Sequence, residues 1–335
     1  MTEAVQPVWC VMPVLAGPEM TEAAIGDLLT QTLPTRVLVV NQGIDSAFRD
    51  RLERIAEHEP RLLLWHHVPS LPSLSATWNA ALEYIFGLGE PCALVVNNDV
   101  RLHQDMLEAL VRVMTDTDAL FVSAVGVTAQ EFRASGQFNT STRGGPDFSC
   151  FLIGSDCHMR FRFDEHFIPA FCEDLDYHRR LMLAGEGSRI FSTGVPYLHL
   201  ASQTLKGDYL DEEEKQRIRE SIERHSRTYY ARKWGGPVNE ETYYTPFDRG
   251  GGEGILVNPD LVGPSTPELQ HGQKHRPTRS HRRTLTAPAS ARPQGSGMVP
   301  IQSGDLGSPR DGALHLGAGD AGGDAGDAAT DPDGD

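Results

Sequence analysis

The chain has little cysteine, no concentration of positive charge outside one short patch, and no long apolar run. Its five cysteines, at positions 10, 92, 150, 157 and 172, are odd in number and form no CxxC pair. Cys150, Cys157 and His158 fall close together, but at a spacing that no standard zinc pattern uses. Free thiols suit a reducing compartment, so the expected location is cytoplasmic. Acidic residues outnumber basic ones, 46 to 30, for a net charge of −16. Nucleic-acid binding relies on clustered Lys and Arg, so no nucleic-acid partner is expected. No apolar run approaches the roughly 18 residues that span a bilayer, so no transmembrane segment is expected. The N-terminus lacks a basic stretch leading into an apolar one, so no signal peptide is expected either. Two nucleotide fingerprints are also missing. Ala16-Gly17-Pro18-Glu19 stands where a GxGxxG would follow the first strand, and no GxxxxGK[ST] occurs. Dehydrogenase and P-loop readings thereby lose their main support.

What the chain does have is alternation. Strands are predicted over 8–15, 36–40, 62–66 and 94–96, separated by helices over 20–33, 46–58 and 75–86. Apolar residues recur at helical spacing in each helix: Ala24, Ile25, Leu28 and Leu29; Phe48, Leu52, Ile55 and Ala56; Trp78, Ala81, Leu82 and Ile85. Such βαβαβαβ order predicts an α/β fold with a doubly wound, mostly parallel sheet and right-handed crossovers. A helix over 104–114, a strand over 119–124 and a strand over 149–153 follow, with a polar, Gly-rich loop over 128–147 expected to cover the site. Within it, Arg143-Gly144-Gly145 could approach phosphate. A short strand or loop is read at 197–200, and a long charged helix over 211–233, stopped by Gly235-Gly236-Pro237. Beyond 248, Gly, Pro, Ala, Ser and Thr dominate, with a basic patch at 274–283 and an acidic Gly-Ala-Asp end. Too few bulky apolar residues occur there to offset the entropy of ordering, so 249–335 is read as a disordered tail.

Two stretches carry chemistry. The first is Ala93-Leu94-Val95-Val96-Asn97-Asn98-Asp99, an apolar run ending in two amides and a carboxylate. Ligands of open α/β sheets bind just past the carboxyl ends of such buried strands. Asp99 could there hold a hard cation on a diphosphate, because Mg²⁺ needs only one or two carboxylates and leaves the rest of its shell to water and phosphate. A plain turn would use the same residues.

The second stretch runs from Phe163 to Leu181 and interleaves Asp164, Glu165, Glu173, Asp174 and Asp176 with Phe163, Phe167, Pro169 and Phe171. Acids in a helix's first turn favour the positive end of its dipole, which accounts for one or two of them. Five beside an apolar wall form a setting that raises a carboxyl pKa towards working pH. His199 stands in apolar company, which also suits a purely structural histidine.

Taken in this order, over about residues 8–248, these stretches resemble the family 2 glycosyltransferases of the A-type nucleotide-sugar fold, in particular their rhamnosyltransferase-like branch. Met12-Pro13-Val14 resembles the opening strand with its proline. Val39-Val40-Asn41-Gln42-Gly43-Ile44-Asp45 is similar to the second-strand motif, with Asn41 in place of the usual acid. Ala76-Thr77-Trp78-Asn79 resembles the helix start whose Asn lies near the donor. Asn97-Asn98-Asp99 resembles the metal-binding DxD motif with Asn for its first Asp. Phe163-Asp164-Glu165 followed by Glu173-Asp174-Leu175-Asp176 and Arg179 is the most specific match. His199 falls where such enzymes place a late metal-proximal His, and Arg232-Lys233-Trp234-Gly235-Gly236 resembles the closing segment.

The resemblance implies an inverting transfer of a sugar from a nucleotide-diphosphate sugar to a hydroxyl of a glycan, lipid-linked glycan or protein. It implies a divalent cation, Mg²⁺ or Mn²⁺, at Asp99 and His199, and donor contacts from Pro13, Asn41, Asp45, Asn79, Asn97 and Asn98. Asp174 is the expected base, with Asp176 as the alternative. Glu173 and Asp176 would shape the acceptor site, Arg179 would hold the acids in place, and Asp164, Glu165 and Trp234 would support them. The donor half is expected over about 1–100 and the acceptor half over about 101–248. Two other readings stay open: a sugar-nucleotide nucleotidyltransferase, and a non-catalytic carbohydrate-binding relative.

Overall fold

The computed structural model describes residues 6–43, 45–67, 71–134, 145–200, 203–249 and 254–257. All of them belong to a compact unit that runs from Met1 to Gln270. Ile44, Arg143-Gly144, the basic patch and the acidic end lie outside the described residues. The strands are β1 (Val8–Val14), β2 (Thr35–Asn41), β3 (Leu62–His66), β4 (Cys92–Val96), β5 (Val100–Leu102), β6 (Phe121–Val127), β7 (Cys150–Gly154) and β8 (Ile190–His199). The helices are α1 (Pro18–Leu29), α2 (Ser46–His58), α3 (Leu74–Gly87), α4 (Met106–Thr117), α5 (Ala129–Ala134), α6 (Ser155–Arg160), α7 (Glu173–Leu183), α8 (Gln203–Lys206), α9 (Glu212–Ser221), α10 (Thr228–Trp234) and α11 (Gly254–Val257).

The strands form one sheet in the order β3-β2-β1-β4-β7-β6-β8-β5. Pairs β3–β2, β2–β1, β1–β4 and β6–β8 are parallel, while β4–β7, β7–β6 and β8–β5 are antiparallel. Successive residues of the central strands alternate between two cores. Cys10, Met12, Val37, Val39, Leu94 and Val96 face α1, α2 and α4, whereas Trp9, Val11, Leu38, Val40, Ala93 and Val95 face α3 and α7. Burial on both faces explains why these strands read as unbroken apolar runs. The expected α/β fold with a doubly wound, mostly parallel sheet is therefore the observed one.

The departures lie in the second half. β5 is three residues long, too short for a periodicity to show. β8 runs for ten residues where only 197–200 was expected, because Gly194 and Pro196 break the strand pattern. A register shift between Ser123 and Val125 on β6 accommodates that break. The loop expected over 128–147 contains α5, which Thr128 and Glu131 cap reciprocally. The helix expected over 211–233 is continuous in outline but includes a π segment, Ile222–Arg227, between α9 and α10.

The expected limit at residue 248 also needs correction. Leu256 of α11 is buried with Phe167, Cys172, Tyr230 and Trp234, and its carbonyl accepts from Arg180 Nη1 at 3.3 Å. The packed unit therefore extends past 248. Among the described residues, no helix is long and apolar enough to cross a membrane.

Candidate functional site

Asp99 lies on the turn from β4 to β5, at the carboxyl ends of the parallel strands. The antiparallel pairing of β5 with β8 sets Val100 opposite His199, and the Asp99 carbonyl accepts from Leu200 N at 2.9 Å. This register brings His199 Nε2 to 3.6 Å from Asp99 Oδ1, although the two are a hundred residues apart in the chain. Burial pulls the His199 pKa down, but hydrogen bonding to Asp99 and the charges of Asp99 and Asp147 outweigh it, and the net shift is upward.

The amide of Asn98 serves the scaffold. Buried Asn98 donates from Nδ2 to Ala16 O and Thr21 Oγ1, both at 2.8 Å, which ties this turn to the entry of α1. Asn97 is held through its backbone N–H on Ser149 O at 2.9 Å. Pro13 is buried inside β1, opposite Val40. At the end of β2, Asn41 Oδ1 accepts from Gly43 N at 2.9 Å, and its Nδ2 lies 3.2 Å from His66 Nδ1. A side chain at Gly43 would put its Cβ 2.5 Å from Leu15 O, so only glycine lets these two strand-end loops approach. Asp45 is the N-cap of α2, accepting from Ala47 N at 2.9 Å.

Asn79 departs from expectation. It was expected near a donor, but it is buried beneath the acidic segment. Its Nδ2 donates to Phe163 O at 2.8 Å and Glu165 Oε1 at 2.9 Å, and its Oδ1 accepts from Phe163 N at 3.1 Å. Every polar atom of the amide is engaged in holding residues 163–165.

The acids divide into two groups. Asp164 and Asp176 belong to a buried cluster with Lys233 and Arg180. Lys233 Nζ stands 2.6 Å from both Asp164 Oδ2 and Asp176 Oδ1. Arg180 Nε donates to Asp176 Oδ2 at 2.8 Å and Trp234 Nε1 to Asp176 Oδ1 at 3.0 Å. Asp164 also accepts from Tyr229 Oη and His166 Nδ1, both at 2.8 Å. Burial works to raise the Asp164 pKa, but the Lys233 charge and His166 hold it well below the usual carboxylate range. Two carboxylates face two cations, so the cluster is balanced. Both oxygens of Asp176 are thus engaged within the buried cluster.

Arg179 is a second correction. It points away from the acids, stacking over the Trp234 ring at 4.9 Å and donating from Nη2 to Tyr243 O at 2.8 Å, with Glu241 Oε2 at 3.7 Å from Nη1. The residue that grips an acid is Arg180, one helical turn from Asp176, because residues i and i+4 share a helix face. Trp234 is fully buried behind the cluster.

Glu173 and Asp174 form the other group. Asp174 is half-buried and accepts Leu175 N–H at 2.8 Å. Burial raises its pKa, and the charges of Asp147 and Asp176 raise it further. Glu173 is 5 % exposed and its Oε2 has no hydrogen-bond partner. Burial and the adjacent Asp174 charge push its pKa well above the ordinary value.

Asp147 links the two parts of the site, and the sequence reading missed it inside the 128–147 loop. Its Oδ1 accepts from Ser149 N at 2.9 Å and its Oδ2 from Gly126 N at 3.3 Å, while its own N–H donates to Ser123 Oγ at 3.1 Å. From there its charge raises the pKa of both His199 and Asp174. The available signal was an acid two residues before an apolar strand and just after Gly144-Gly145-Pro146. Lys233 was also missed, although it lies in the quoted closing segment.

Among the described residues, no three His, Cys, Asp or Glu side chains gather into a ready metal cage. The Asp99–His199 pair still suits Mg²⁺ or Mn²⁺, which take few protein ligands when a diphosphate supplies oxygens.

No family model matches the chain, and no curated protein does. Solved structures do. The mannosyltransferase PcManGT from Pyrobaculum calidifontis, in complex with GDP-Man and Mn²⁺, aligns at 16% identity over 60% of this chain, with a TM-score of 0.46. The alignment spans 58% of that mannosyltransferase's own length. S. aureus TarS, residues 1–349, aligns at 14% identity over 65% of this chain and 70% of its own, with a TM-score of 0.44. The same TarS segment in complex with UDP aligns at 14% identity over 67% and 73%, with a TM-score of 0.45.

Proposed function

We propose that this chain transfers a sugar from a nucleotide-diphosphate sugar to an acceptor hydroxyl, with inversion at the anomeric carbon. The observation that carries this reading is the Asp99–His199 couple, 3.6 Å apart at the turn that ends β4, in a fold that also sets Asp174 in the first turn of α7. Leaving-group stabilisation and a base are the two requirements of a single-displacement sugar transfer. The motif resemblance over 8–248 supports the same chemistry.

Asp99 and His199 would hold the cation, which supplies positive charge against the departing diphosphate. The loops after β1, β2 and β4, in the half spanning 1–100, would receive the nucleotide. Asp174 takes the proton of the attacking hydroxyl. Burial and the adjacent Asp174 charge raise the Glu173 pKa well above its ordinary value. The Leu175 N–H on the Asp174 carboxylate favours its ionised form, the form a base needs. Burial, and after it the Asp147 charge, make Asp174 a stronger base than an isolated aspartate. The half spanning 101–248 would present the acceptor.

The test is a panel of nucleotide sugars with Mg²⁺ or Mn²⁺, scored for nucleoside diphosphate release. Slow donor hydrolysis to the diphosphate supports sugar transfer. Pyrophosphate release from a nucleoside triphosphate would instead identify a nucleotidyltransferase, and no turnover of either would leave a carbohydrate-binding relative.

A further inference from the structure

We infer that a cavity one turn along α7 from Asp174 is a second acceptor subsite, and that it takes an uncharged, largely apolar ring joined to the acceptor sugar. Calling that molecule the acceptor rests on the sugar-transfer reading; the chemistry of the ring rests on the cavity walls alone.

The cavity holds about 270 Å³ and is half-enclosed. One wall is α7, through His178 and Met182; another is Gly145-Pro146; β8 adds Ile190 and Ser192. Both of the first two walls lead to the acids of the site. Asp147 directly follows Pro146, and His178 stands one turn after Asp174, on the same helix face because residues i and i+4 align. A rise of 1.5 Å per residue sets His178 about 6 Å and Met182 about 12 Å beyond Asp174 along the helix. The sugar whose hydroxyl meets Asp174 occupies the first of those turns. What is attached to that sugar enters the second.

The walls select the attached group. Among the described residues, the lining includes no Lys, Arg, Asp or Glu, so a phosphate or an ammonium would be buried there without a counter-charge. Pro146, Met182 and Ile190 are apolar. Ser192 is already committed: its Oγ donates to Gly145 O at 2.8 Å and lies 3.2 Å from Ser123 Oγ. His178 is the exception. It is half-buried; burial lowers its pKa, and among the described residues no charge or hydrogen bond contributes to that shift. The neutral imidazole offers one donor and one acceptor nitrogen. A second pyranose, with hydroxyls around its whole edge, would leave most of them unmet in this cavity. A cavity of about 150 Å³ accepts benzene, so this one admits a six-membered carbon ring with a substituent. Such a ring bearing one hydroxyl meets the apolar walls with its faces and His178 with its oxygen.

The experiment is saturation-transfer NMR on the full chain with phenol as the probe and methyl glucopyranoside as a hydroxyl-rich competitor, without nucleotide or metal. Phenol should bind, and the glucoside should not displace it. Two substitutions locate the site. Among the described residues, a Cβ on Gly145 would meet only His178 Cε1, at 3.9 Å, so Gly145→Leu has room at its backbone and fills the cavity. It should abolish phenol binding. His178→Phe keeps a ring but removes its nitrogens, and should weaken phenol binding about three- to tenfold, the range of one hydrogen bond. It serves alone if the leucine variant fails to fold. No phenol binding, binding that both variants leave intact, or displacement by the glucoside would overturn the inference. In transfer, phenyl glycosides should show a KM about tenfold below methyl glycosides of the same sugar, and Gly145→Leu should erase the difference. Equal KM values with phenol still bound would overturn the acceptor assignment. Phenol bound by a chain that turns over no nucleotide sugar would sink the transfer reading while the ligand class of the cavity stands.

Discussion

Arg180 and Asp176, one turn apart on α7, form an ion pair at 2.8 Å in which each side chain has 0% exposure. That pair, closed on its other side by Lys233 and Trp234, anchors the helix whose first residues are Glu173 and Asp174. It ties Asp176 into the buried scaffold behind the start of α7.

The cluster is expected to be brittle. Lys233→Met leaves Asp164 and Asp176 short of a cation in a buried setting, and breaking such a pair by removing one partner costs about 3–5 kcal/mol. Urea denaturation should show a loss of that order, with Arg180→Met comparable and Arg179→Met much milder. A Lys233→Met loss below about 1 kcal/mol would contradict the arrangement.

The end of the packed unit can be tested by truncation. A chain ending at Asp248 loses Leu256, whose burial contributes about 1.5–3 kcal/mol, together with its carbonyl on Arg180. A chain ending at Gln270 keeps both. The shorter chain should melt several degrees lower; equal melting temperatures would restore the boundary to 248.

The fold was legible where the chemistry is local. β1 to β4 and their helices could be read because apolar runs buried on both faces alternate with helices of clear spacing. Asp99 and the acids of α7 were likewise visible as carboxylates at element ends. What stayed hidden depends on pairing over distance. Nothing near His199 in sequence says that β8 lies beside β5. The exchange of Arg179 for Arg180 was recoverable, since Asp176 and Arg180 stand at i and i+4, but Leu256 on Arg180 was not. Asn79 and Asn98 show the converse: their amide character was read as donor contact, whereas burial turned them into internal fasteners.

Asp147 gives a pH prediction with a definite sign. Its negative charge raises the Asp174 pKa, so Asp147→Asn should lower it. A base must be ionised to act, so the rate falls as pH drops through that pKa. The acid limb of the transfer profile should therefore move to lower pH in Asp147→Asn. A limb that stays in place or moves upward would remove Asp147 from the site's electrostatics.

Asp99 is the one carboxylate in Asn97-Asn98-Asp99. Asp99→Ala should abolish turnover and weaken nucleotide-sugar binding, and EDTA should reproduce both effects on the wild type. Calorimetry of nucleotide binding with and without EDTA reads this directly. Full activity in EDTA, with Asp99→Ala equally active, would take the cation out of the mechanism.

The most direct measurement is the transfer rate of Asp174→Asn at saturating acceptor, taken beside its donor affinity. The substitution keeps shape and the Leu175 N–H contact but removes basicity. General-base catalysis contributes about 10²–10⁴-fold, so transfer should fall by at least that order while nucleotide-sugar affinity is unchanged. A folded Asp174→Asn that transfers at close to the wild-type rate would contradict the account.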